Sequence, residues 1–400
     1  MLRRLPTTRL LALLAAVVAA LGGGTAIAMA ALGGSGAKPP ANSLVQALHD
    51  AATAPAIQGV TARIAFTNHL IDSSSLPKGS NPLLSGATGR LWAAPDGRLR
   101  LELQSDAGDA QVTSDGKVLS IFDGTSNNIY RITLPQDASG KTGSGGGDAP
   151  PTVARIQQFL DELAQSADLS GATPDNVAGR PAYTTRVSPK HDGGLIGAAE
   201  MAWDAANGTP LRAAVYAAGN PNPVLELKAT DISFGPVDAA TLAVTPPAGA
   251  KVTRIDLSGA GQDHGGAGHD TSGAKEQPSD PKQVAAQLPF ALSAPDTLVG
   301  LPRHDVHAVD LDGTKGALVT YGAGLGGIAV LEQKADPAAA AQAQGGDHQL
   351  SLPKVSINGA DGEELATALG TLVRFERGGV QYTIIGSVPP AAAEAAARAL

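Results

Sequence analysis

The sequence predicts an α+β protein of two domains, and three observations carry that reading. Short alternations of apolar and polar residues recur, set off by the turn dipeptides Asp115-Gly116, Asp123-Gly124 and Asn207-Gly208, as antiparallel strands require. Two earlier stretches and the last one have helical spacing instead. A long run of Gly, Asp and Ser from Ser258 to Pro281 cannot bury enough apolar surface to order itself, and it divides the chain. With its flanks, 252–285 is read as a linker between a first domain at 41–251 and a second at 286–400.

Residues 1–36 read as a leader. Arg3, Arg4 and Arg9 precede an apolar run from Leu10 to Leu21, and Ala26-Ile27-Ala28 offers small residues for cleavage. Left uncleaved, the uncharged stretch Leu10 to Leu32 is long enough to cross a bilayer. The Gly22-Gly23-Gly24 break favours a signal peptide, the arginines an N-terminal anchor with the bulk outside. Both readings stay open, and each sets the body outside the cytoplasmic membrane.

The 400 residues include no cysteine, which excludes disulfides, thiolate metal sites, cysteine nucleophiles and a lipid-bearing cysteine. Only 16% are charged, and 49 glycines with 28 prolines fit a chain rich in turns. A net charge of −8, without a basic block beyond the leader, excludes a nucleic-acid surface. Glycine-rich or small-residue stretches also lie at Gly33 to Pro40, Asp137 to Pro150 and Asp336 to Gly346.

Taken in order, the first domain opens with a helix over Ser43 to Thr53. Ser43 caps it, and Leu44, Leu48 and Ala52 share a face. Leu99, Leu101 and Leu103 then alternate with Arg98, Arg100, Glu102 and Gln104 in a half-buried strand. Strands at Lys117 to Asp123 and Ile129 to Leu134 follow. A helix over Val153 to Ala167 groups Val153, Ile156, Leu160 and Leu163. Strands at Ala182–Ser188, Ala198–Asp204, Leu211–Ala217 and Val224–Phe234 close the domain. In the second domain the strands are Val306–Leu311, Ala317–Tyr321, Gly327–Glu332, Thr371–Glu376 and Val380–Ile385, with a Gly378-Gly379 hairpin turn. Pro389-Pro390 starts a terminal helix, Ala391 to Leu400.

Several blocks resemble the LolA/LprG-like lipoprotein-carrier superfamily. They are Gly89-Arg90-Leu91-Trp92, Gly97 to Leu101, Asp115 to Asp123, Gly179 to Tyr183, Ala202-Trp203-Asp204 and Leu211-Arg212. The resemblance implies a curved antiparallel half-barrel with covering helices that holds lipid or lipoprotein acyl chains. Tyr321 to Val330 and Tyr382 to Pro390 are similar to the small second domain of the RseB/MucB family. There Gly322-Ala323 and Ser387 depart from the family's polar pair and acid. That resemblance implies a regulator holding a membrane protein such as an anti-sigma factor. A purely structural, protein-binding module is the remaining alternative.

Aromatic and aliphatic strand residues are therefore the candidates for a hydrophobic cavity: Trp92, Leu101, Leu103, Phe122, Tyr130, Trp203, Tyr216 and Leu227. Each is also an ordinary core residue by type, and a slip of one residue would reverse its face. The other constellations read as bland. Gly322 to Gly327 fits G-x-G-x-x-G but is followed by a strand-like segment, where a phosphate site needs a helix. His304, His307, Asp310 and Asp312 lack the spacing of a metal site, and His264 and His269 sit in the linker. No G-x-S-x-G elbow is present. Asp161-Glu162 and Glu363-Glu364 are neighbours on expected helical or turn surfaces, where adjacent carboxylates do not face each other. The chain reads as a binding protein without a cofactor, not an enzyme.

Overall fold

The computed structural model describes residues 36–71, 82–106, 108–124, 127–133, 151–190, 194–244, 247–256, 281–311, 314–322, 326–335 and 352–400. The leader (but for its last residue), the stretches 137–150, 258–280 and 336–346, and with them His264, His269 and Asp312, fall outside the described residues.

The first sheet is built from β1 (Val60–Asn68), β2 (Ala87–Ala93), β3 (Arg98–Ser105), β4 (Gly108–Asp115), β5 (Val118–Asp123) and β6 (Asn128–Thr133). Its second half comprises β7 (Ala167–Leu169), β8 (Thr173–Val177), β9 (Arg180–Pro189), β10 (Ile196–Asp204), β11 (Pro210–Ala217), β12 (Pro223–Phe234) and β13 (Lys251–Asp256). The order is β13-β6-β5-β4-β3-β2-β1-β12-β11-β10-β9-β7, with β8 also on β9. All pairings are antiparallel except β13 on β6. The ends of this order do not meet, so the sheet curls into an open half-barrel rather than a closed barrel. Strand β13 runs into the range read as linker.

Among the described residues, four helices accompany this sheet: α1 (Leu44–Thr53), α2 (Pro82–Ser85), α3 (Val153–Ser166) and α4 (Ala239–Leu242). Ser43 caps α1 as expected, accepting a hydrogen bond from the Gln46 amide at 3.1 Å. Its inward stripe is Leu44, Ala47, Leu48 and Ala51 rather than one ending at Ala52. On α3, Ile156 and Leu160 are buried, whereas Val153 in the first turn is exposed.

The second sheet follows α5 (Pro281–Ala285) and runs β14 (Thr297–Leu298), β15 (Leu301–Leu311), β16 (Thr314–Tyr321), β17 (Ile328–Lys334), β21, β20, β19, β18. The last four are β18 (Lys354–Ile357), β19 (Ala360–Thr367), β20 (Gly370–Arg377) and β21 (Val380–Gly386), and α6 (Pro390–Ala399) packs over them. Thus Glu363 and Glu364 sit on a strand, a correction to the helical or turn surface expected. Strand β17 follows the glycine-rich segment directly, so no helix N-terminus is available there for a phosphate. Strands β1, β4, β7, β8, β13, β14, β18 and β19 are absent from the elements expected above, although Val60, Ala62, Ile64 and Phe66 alternate as plainly as β3 does.

Candidate functional site

Register decides which face of the half-barrel each candidate occupies. Leu101 lies opposite Leu91 on β2 and Val112 on β4, and Val112 opposite Ile121, which meets Tyr130. Across the β1–β12 pairing, Phe66 meets Leu227, and Leu227 meets Ala213. Paired residues share a face, so Leu101, Leu103, Tyr130 and Leu227 belong to one continuous apolar face. All four are buried, with Leu101 and Leu103 at 0% exposure. They join one cluster with Ile64, Phe66, Val112 and Ile132.

Gly89 explains how the first strands approach so closely. A Cβ there would stand 1.8 Å from the carbonyl oxygen of Glu102, so only glycine fits between β2 and β3. The glycine of the Gly89-Arg90-Leu91-Trp92 block is thus a packing requirement.

Trp203 lies at the far side of the same sheet, beneath α1. It packs with Tyr183, Ala172 and Ala47, its ring centroid 6.1 Å from that of Tyr183. The hydroxyl of Tyr183 donates to the Pro40 carbonyl at 2.8 Å, tying the segment before α1 to the sheet. The Asn207-Gly208 turn holds this corner. Gly208 has φ 70°, and a Cβ on it would come within 2.8 Å of the Ala51 carbonyl oxygen of α1. Asp204, fully buried, accepts from Arg180 at 2.7 Å and from the Ala206 amide at 2.8 Å.

Trp92, Phe122 and Tyr216 lie on the opposite face. Trp92 pairs with Arg100, whose guanidinium stands 5.7 Å from the indole centroid. Phe122 pairs with Gln111. Tyr216 belongs to a charged network: its hydroxyl donates to Glu200 at 2.7 Å, and Arg212 donates to Glu200 at 2.6 Å and to Glu226. Arg186 also donates to Glu200, at 2.8 Å, and stacks over the Tyr216 ring. Burial alone would raise the Glu200 carboxyl, but the hydrogen bonds from Arg212, Tyr216 and Arg186 outweigh it and hold the group below its ordinary value. Burial, foremost, raises the Tyr216 hydroxyl. One face of the sheet is therefore greasy and the other salt-bridged. The candidates expected as one set divide between them.

The apolar face is covered by elements remote in sequence. Leu365, Leu369 and Leu372, at and beside the β19–β20 turn, belong to the same cluster as Leu101 and Leu227. The Ala368 amide donates to the Leu70 carbonyl at 2.9 Å. Ser387 Oγ accepts from the amides of Leu195 at 2.9 Å and Ile196 at 3.1 Å. No signal in the sequence marks these contacts, because they join segments far apart in the chain. Along Val60, Ala62, Ile64, Leu91 and Leu227 runs a cavity of about 20 Å³, room for a single water and far below an acyl chain.

Among the described residues, the second sheet fully buries one carboxyl group. Glu332 is 0% exposed; its Oε2 accepts from the Ser293 amide at 2.9 Å, while Oε1 has no partner among the described residues. Burial pushes its carboxyl up to about 7, and the Ser293 bond offsets this only in part. His307 pairs with Asp305 at 2.6 Å, and no group of metal-ligating side chains assembles among the described residues. No helix among them is long and apolar enough to cross a membrane.

No protein-family model matches the chain, and the comparison with curated proteins finds no match. Solved structures do match. The MucA/MucB complex of Pseudomonas aeruginosa is 17% identical over 88% of this chain and 96% of that chain, with a TM-score of 0.40. A LolA superfamily protein from Nitrosomonas europaea is 10% identical over 51% of this chain and 99% of that chain, with a TM-score of 0.23. The α+β half-barrel assignment rests on the strand order and register above. The chain is similar to MucB over most of its length and to a LolA superfamily protein over about half of it.

Proposed function

We propose that the chain is an extracytoplasmic binding protein for the acyl chains of a lipid or lipoprotein, and that the apolar face of the half-barrel receives them. One observation supports this reading most. A single curled sheet carries an uninterrupted apolar face from Tyr130 to Leu227, and its cover includes Leu83 of the short helix α2 and one hairpin tip from elsewhere in the chain. A cover of that kind is separable from the sheet without breaking the strand ladder. Leu101, Leu103, Tyr130 and Leu227 are the proposed contacts, with Trp203 under α1 at the margin. A chain held on this face does not reach Trp92, Phe122 or Tyr216. Each methylene transferred from water contributes about 0.8 kcal/mol, so burial of about ten of them matches the roughly 8 kcal/mol of micromolar binding.

The cavity of about 20 Å³ favours a second reading, a closed module that binds protein partners, such as a membrane-anchored regulator, on its outside. Native mass spectrometry of the purified protein, with titration by a fluorescent fatty acid, separates the two. Acyl binding predicts saturable uptake of the probe and co-purifying lipid. The absence of both would leave the closed module.

A further inference from the structure

The two sheets are latched across the end of the apolar face, and the chemistry of the latch points to what it displaces. On β12, Leu225 and Leu227 lie on the same face, and Phe66 and Asn68 face them from β1. Just beyond, the chain turns at Leu70 and Ile71, both buried in the same cluster. Onto this end comes the β19–β20 turn, placed by the bond from the Ala368 amide to the Leu70 carbonyl. Leu365 pairs with Leu372, and Leu372 with Ile385, so these three form one apolar row on the second sheet. That row faces away from the sheet's own core. Val373, Phe375 and Ile384 point the other way and pack with the alanines of α6. The row's partners lie instead in the half-barrel.

The polar part of the contact is small. Ser387 supplies both acceptors, Oγ and its carbonyl oxygen, to the amides of Leu195 and Ile196. Ser387 is also the residue that stands where the RseB-like motif has an acid. A short neutral hydroxyl accepts two amides here, whereas a longer carboxylate would need more room.

We infer that the β19–β20 tip, with Leu369 foremost, is a built-in occupant of the acyl-binding face, and that a single fatty-acyl chain and the second sheet compete for it. This rests on the acyl-binding reading. It accounts for an apolar face whose cavity along β1, β2 and β12 has room for only a single water: three leucines fill the end of the face through which a chain would enter. When the tip leaves, both the face and the Leu365–Leu372–Ile385 row are uncovered, so ligand entry changes the exposed surface of the second sheet as well.

The chain has no cysteine, so an introduced pair meets no native thiol with which to mispair. Leu70→Cys with Ala368→Cys, and separately Leu195→Cys with Ser387→Cys, should close the latch on oxidation. Uptake of a fluorescent fatty acid by the full chain is then measured oxidised and reduced, beside Leu369→Asn and Ser387→Ala. We expect little or no uptake when oxidised, recovery on reduction, and about tenfold tighter uptake in the latch-weakened variants, because the fraction of open protein limits apparent affinity. Equal uptake in all forms would overturn the competition while leaving acyl binding in place. No uptake in any form, the weakened variants included, would overturn acyl binding and the competition together.

Discussion

The two sheets face the same difficulty, an apolar face that a single layer of strands cannot hide, and they answer it with cover of different origin. The second sheet is closed by its nearest neighbour in sequence. The helix α6 starts a few residues after β21 and lays Ala393, Ala396 and Ala397, all at 0% exposure, against Phe375 and Ile384. The half-barrel recruits distant segments: α1, from one end of the described chain, over Trp203, and the β19–β20 tip from the other sheet over the Leu101–Leu227 face. Small alanines on a helix allow close approach and leave no gap, so the second sheet is closed permanently. A leucine tip held by a few hydrogen bonds from backbone amides is cover of a more removable kind. The proposed binding face thus lies on the first sheet, and the cover proposed to leave it belongs to the second.

The largest effect should come from the half-barrel's own core. Leu101→Ala removes a side chain at 0% exposure from the middle of the apolar face. It should cost roughly 2–5 kcal/mol in urea unfolding. Leu369→Ala, at the removable cover, should cost no more than about half of that, because the site can open to water instead of leaving a void. Equal losses would erase the distinction between core and cover.

A smaller effect, confined to the second sheet, concerns Glu332. Its folded value, about 7, lies above the ordinary 4.5, so the folded state holds the proton more tightly than the unfolded chain does. The stabilisation is full below about 4.5 and is lost as pH rises through about 7. Melting of the wild type should therefore fall between pH 5 and pH 8, and Glu332→Gln should flatten that slope. A variant that retains the full slope would show that the pH response lies elsewhere.

The smallest effect lies on the salt-bridged face, and its sign is opposite. Glu200 is held below its ordinary 4.5, so its stabilisation is present above that value and lost as pH falls through the folded value. Glu200→Gln should cost about 1 kcal/mol at neutral pH, since Arg212 keeps Glu226, and the difference should vanish in acid. If acyl uptake also changed in this variant, the two faces would not be independent.

Much of the architecture was legible before any contact was known. The alternation of Leu99, Leu101 and Leu103, the Asp-Gly and Asn-Gly turns, the cap at Ser43 and the Gly378-Gly379 hairpin are local signals, and each marks an element found in its place. Strand β1 carries an equally plain alternation that went unassigned, whereas Glu363-Glu364 looks helical locally and is strand only because β18 and β20 flank it.

By itself, the sequence determined the α+β class, the order of those helices and strands that carry a local signal, and the alternation that gives each such strand an apolar and a polar side. Those follow from backbone periodicity, which is a property of neighbours in the chain. Tertiary structure decided the rest. Pairing of β1 with β12 joined the two halves of the sheet so that Leu227 shares a face with Leu101, Leu103 and Tyr130, and Tyr216 shares the other with Trp92 and Phe122. Docking of the β19–β20 tip and Ser387 decided what covers the inward face. Both depend on contacts between residues more than a hundred positions apart, and a one-residue slip in the first would exchange the two faces of the strand concerned.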